Sequence, residues 1–129
     1  MKTMITAALL AALSLTAQAA PEVHFVEPTD GATVSSPLRV EMGVSDMTVQ
    51  PAGQIVEGTG HHHLIIDGEP VAAGTPVPAD ERHLHFGKGQ TETTIELAPG
   101  KHTLTLQFAD GLHQSYGPAM SKTIEITVE

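Results

Sequence analysis

Cysteine is missing from the whole chain, so neither a disulfide, a thiolate nucleophile nor a thiolate metal ligand belongs to its chemistry. Tryptophan is missing as well, and one tyrosine and three phenylalanines in 129 residues make aromatics nearly absent. Basic residues are scarce: six Lys+Arg stand against fifteen Asp+Glu, a net charge of −9 with histidine neutral. Such a balance argues against nucleic acid and anionic membrane surfaces as partners and is compatible with cations. No apolar run approaches the roughly 20 residues of a membrane-spanning helix. Any soft-metal chemistry must therefore use histidine, methionine or carboxylate.

What is present begins with a leader. Lys2, the apolar run from Met4 to Leu15 and the small-residue site Ala17-Gln18-Ala19 read as a secretory signal peptide over 1–19, cut after Ala19. Losing Lys2 leaves five basic residues against fifteen acidic ones, a charge of −10 for a periplasmic or secreted domain spanning 20–129. The rest of the chain has the period of strands. Leu38, Val40, Met42 and Val44 alternate with Arg39 and Glu41, then Leu104, Leu106 and Phe108 with Thr105 and Gln107, then Ile124, Ile126 and Val128 with Glu125 and Thr127. Turn signals such as Pro28-Thr29-Asp30-Gly31, Asp67-Gly68 and Pro99-Gly100 separate these runs. About seven short strands without helical periodicity predict an all-β fold, an antiparallel immunoglobulin-like β-sandwich. The opening strand, Pro-x-Asp-Gly-Ala turn and second strand resemble those of bacterial immunoglobulin-like sandwiches and of the periplasmic copper-resistance protein C family.

Histidine is the residue in excess. Of eight, seven fall between His61 and His113. In an extended chain His61 and His63 share one face while His62 joins Leu64 and Ile66 on the other. A His-x-His step on a strand sets two imidazoles on one side with α-carbons ~6–7 Å apart, a span one transition metal can bridge. The step recurs as His83-Leu84-His85 beyond the proline-rich loop Val71–Glu81, and His113 follows the long strand as an added or replacement ligand. The expected metal ligands are His61, His63, His83, His85 and His113. Asp67 or Asp110 could orient an imidazole through its second nitrogen. His62 and His102 share the core-facing phase, which suits buried hydrogen-bonded residues or supports for a ligand; His24 is remote. Met42, Met47 and Met120 are thioethers open to Cu(I), although Met42 alternates onto a core face. The span Gly87-Lys88-Gly89 lacks the spacing of a phosphate loop.

The stretches Gly60–Asp67, His83–Glu92 and Pro99–Leu104 resemble the bacterial family known as domain of unknown function 4399, a likeness that continues through Asp110, His113 and Pro118. The resemblance implies a small exported β domain whose hallmark is the histidine segments. Members often carry another histidine just after the position of His113, where this chain has Ser115-Tyr116.

Together these readings predict a non-catalytic periplasmic metal-binding module, a chaperone or buffer for copper or zinc, with a periplasmic metalloprotein as candidate partner. All-imidazole sites suit Cu(II) or Zn(II), and blue copper is excluded without a thiolate. The competing expectations are a copper-dependent redox enzyme and an adhesion or envelope scaffold whose histidines only make hydrogen bonds.

Overall fold

The structure, a computed structural model, describes residues 7–13 and 19–129. The expected signal peptide falls largely outside the described residues, Lys2, Ala17 and Gln18 among them. No helix among the described residues is long and apolar enough to cross a membrane.

The fold is all-β. Strands β1 (Glu22–Glu27), β2 (Thr33–Val34), β3 (Leu38–Ser45), β4 (Thr48–Val49), β5 (Thr59–Ile66), β6 (His83–His85), β7 (Glu92–Ile95), β8 (Gly100–Ala109) and β9 (Ser121–Val128) follow in order, with one 3-10 turn at Pro118–Met120. Antiparallel β1, β3 and β7 form a three-stranded sheet centred on β3. The second sheet runs β2-β9-β8-β5-β4, with β6 also paired to β5. Its long pairings, β5 with β6 and β8 and β8 with β9, are antiparallel. Two short ones, β2 with β9 and β4 with β5, are parallel, so this sheet is mixed, against the expectation of a wholly antiparallel one. The reason is length. A two-residue strand has no alternation to read, and β2 is set beside β9 by backbone bonds from Thr127 and Glu129 to Ala32 and Val34.

The two sheets share one core. Val40 and Met42 of β3 meet Leu64, Leu104, Leu106, Phe108, Ile124 and Ile126 of the large sheet, with Met120 and Phe86 closing the ends. Met47 packs against this cluster, so all three candidate thioethers are engaged in packing. Burying an aliphatic side chain of this kind contributes about 1.5–3 kcal/mol, which is what the alternation in β3 and β8 secures.

β5 breaks the simple pattern, because both its faces are buried. Leu64 and His62 point into the core, while His61, His63 and Ile65 on the opposite face are at most 1% exposed. That outer face is roofed by two loops laced together. Val77 N–H donates to the His113 carbonyl at 2.9 Å, Ser115 N–H to Thr75 at 2.9 Å and Gly74 N–H to Ser115 at 2.8 Å. Gln107, buried on β8 beneath them, accepts from Val71 N–H at 2.9 Å and donates to the Gly117 carbonyl at 2.9 Å. The proline-rich loop is thus a wall bonded to the neighbouring turn.

Candidate metal centre

The site grows from strand register. β5 and β6 run antiparallel with His63 opposite His85 and Ile65 opposite His83. Two His-x-His steps in antiparallel register overlap at one pair only, and each then runs away from the other. His83 therefore sits beside Ile65, where its Nδ1 pairs with Asp80 Oδ1 at 2.7 Å, and it does not join the other histidines. That hydrogen bond also holds the Asp80 carboxyl below its ordinary range.

The next place after His85 on the same face, opposite His61 if the register is continued, would belong to residue 87. That residue is glycine, and a β-carbon there would overlap the His85 ring. The empty side chain lets the His85 imidazole lean between its neighbours, its centroid 5.1 Å from His61 and 5.2 Å from His63. The fourth ring arrives from the turn after β8. Asp110 Oδ1 accepts the N–H groups of Leu112 at 2.9 Å and Gln114 at 3.0 Å, winding a compact loop. Gly111 lies so close to the Gln54 backbone that any side chain would collide with it. Held on both sides, His113 takes a left-handed φ of 65° and points back at the sheet.

The result is a compact cluster of His61, His63, His85 and His113. His61 Nε2 lies 3.0 Å from His113 Nδ1, and His85 and His113 stand edge to face with centroids 4.5 Å apart. One ring nitrogen from each of the four can be chosen so that all lie within 4.8 Å of one another. Nitrogens ~2.0–2.1 Å from one metal are ~3.4 Å apart in a tetrahedral site and at most ~4.2 Å apart in any, so the rings would draw together to bind it.

Its electrostatics favour a cation in place of protons. Burial first, then the His113 and His85 rings, push the His61 imidazole down to about 4. Burial and the other three rings push His63 down to about 3. His85 is lowered by burial and by His113. At neutral pH these rings are uncharged and keep their lone pairs. Moreover, His61 Nδ1 and His63 Nδ1 are buried without a hydrogen-bond partner. A buried polar atom left unpaired costs about 1–3 kcal/mol, so the cluster is under-satisfied as a purely hydrogen-bonded arrangement.

The cluster is not sealed. A cleft of about 240 Å³ opens on His63, His85 and His113 between Pro76, Val77, Pro78 and Ala79 on one side and Leu112 on the other. His61, fully buried, does not line it.

The other histidines do different work. His62 packs edge-on to Phe108 at 5.1 Å, inside the core, with neither nitrogen bonded and its pKa pushed by burial to about 4. His102 Nδ1 pairs with Asp67 Oδ2 at 2.8 Å and its Nε2 with the Ala98 carbonyl at 2.7 Å, an arrangement that raises its pKa. Asp67 thus orients a histidine outside the cluster, and Asp110 serves the cluster through the backbone of its turn. Tyr116 donates its hydroxyl to the Thr59 carbonyl at 2.6 Å, tying the turn to the start of β5. Sequence reasoning missed Asp80, the roles of Gly87 and Gly111, and the cleft; the two glycines sit beside histidines in the chain and were the available signal.

Fold and site together define a small all-β protein with a four-histidine cluster of a size that could hold one metal ion. The chain belongs to the DUF4399 family, described as a domain of unknown function, whose model matches residues 40–129 and so includes every histidine of the cluster. No curated protein and no solved structure matches the chain.

Proposed function

We propose that this protein is an exported metal-binding module, an immunoglobulin-like β-sandwich freed of its signal peptide after Ala19, that holds one copper or zinc ion on His61, His63, His85 and His113. It acts as a periplasmic chaperone or buffer. The observation that carries the reading is the convergence of four imidazoles from β5, β6 and the turn after β8, two with buried unpartnered nitrogens. Four borderline nitrogen donors suit Cu(II) and Zn(II) and discriminate against hard cations. His83 is left out of the ligand set because it is bonded to Asp80.

The test is metal analysis of purified protein. One Cu(II) or Zn(II) per chain is expected, with a rise in melting temperature that a chelator reverses, and His63→Ala combined with His85→Ala should abolish both effects. Metal-free protein that ignores both ions overturns the reading. The cleft favours a second reading, a copper-dependent redox enzyme, since substrate could reach an open coordination position through it. Superoxide or peroxide turnover by copper-loaded protein separates the two.

A further inference from the structure

A divalent ion held only by neutral imidazoles keeps its full charge, and no carboxylate takes part in the cluster among the described residues. Asp110, 8% exposed, is the carboxylate whose field reaches His61. Its single negative charge leaves about one positive charge uncompensated. In a cleft with apolar walls that charge is damped less than in open water. The cleft is of this kind: apart from imidazoles its lining is proline, valine, alanine and leucine, with no side chain of either sign.

We infer that the metal-loaded centre is an anion-accepting site, taking a small monovalent anion with a short apolar tail, in chemical class a short-chain aliphatic carboxylate, through the cleft over His63, His85 and His113. This deepens the metal-binding reading above and rests on it. One negative charge completes neutrality with Asp110, whereas a dianion would overshoot it. The walls offer a tail apolar contact and offer an ammonium or a second carboxylate nothing. At about 240 Å³ the cleft is smaller than the ~300–1,000 Å³ of drug-sized ligand sites, which restricts the tail to a few carbons. Val77, 7% exposed and bonded through its N–H to His113, makes the wall a preformed one, and Leu112, 50% exposed, stands at the mouth.

The experiment loads the protein with Cu(II), measures copper per chain, and then titrates acetate, butyrate, butyramide and phosphate while following the visible and electron paramagnetic resonance spectra. Butyrate should bind about fifteenfold more tightly than acetate, the effect of two further buried methylenes at about 0.8 kcal/mol each. Butyramide, neutral and of similar shape, and phosphate, largely dianionic when the titrations are run at about pH 8, should leave the spectra unchanged. Leu112→Ser should keep the copper and cut the butyrate preference to less than about fivefold. Spectra that respond to none of these, butyramide matching butyrate, or phosphate prevailing would overturn the inference while copper stoichiometry leaves metal binding intact. Failure to take up either copper or zinc removes both.

Discussion

Lowering the pH of the metal-free protein from 7 to 5 should remove a large share of its stability, and the size of the loss follows from three buried rings. His61 and His62 have pKa values of about 4 and His63 about 3 in the folded state, against roughly 6.5 in the unfolded chain. A depressed histidine pKa means that the unfolded state takes up protons first, so stability is complete above about 6.5 and falls as pH drops towards the folded values. Each ring contributes a slope approaching 1.4 kcal/mol per pH unit, and the three together remove about 6 kcal/mol by pH 5. Domains of this size have about 5–15 kcal/mol in total. His85, its pKa also lowered, adds to this loss, and His102 partly offsets it near neutrality. Asp67 and Asp80, with lowered pKa values, lose their contribution only below about pH 4, and His102, with a raised one, loses its contribution as pH rises. Urea unfolding in the presence of a chelator, at constant ionic strength and in half-unit pH steps, measures the slope directly. A loss of about 2 kcal/mol or less by pH 5, the share of a single ring, would refute the claim that all three are buried and neutral.

Two substitutions probe the site's supports. Gly87→Ala places a methyl group where the His85 ring lies; because the obstructed atoms are the far end of a side chain, the fold should persist while metal affinity falls about ten- to hundredfold, as read by competition with a coloured chelator. His62→Leu replaces an unpartnered buried imidazole by an apolar side chain of comparable size. It should leave metal stoichiometry unchanged and reduce the acid-induced loss of stability by about 2 kcal/mol at pH 5, visible in the same unfolding series.

The long strands were legible because alternation over β3, β8 and β9 is a local property that core burial enforces residue by residue. The split of the triple histidine was legible for the same reason: His62 had to follow Leu64. Register was not. Nothing in the two His-x-His steps says which pair lies opposite, and His63 facing His85 is what removes His83 from the cluster. Neither could alternation reveal that the outer face of β5 is buried, since its roof comes from loops whose hydrogen bonds join residues about forty positions apart, such as Val77 and His113. The arrival of His113 depends on a left-handed backbone that its own residue type does not demand.

The bond between His61 and His113 spans 52 residues, with β6, β7 and β8 between its ends. Contacts of such separation form late, because the intervening chain must be ordered before they can be made. The β5–β8 pairing of His61 with Ala109 closes a loop of nearly the same length, so sheet and cluster depend on the same closure, and the turn from Asp110 to Gln114 adds only the fourth ring. Undocking that turn is correspondingly the cheapest way to take the cluster apart, since it breaks a few loop hydrogen bonds and leaves the core packed. Exchange of whatever the four rings hold would then proceed on the timescale of a loop opening, far faster than that of unfolding the sheet.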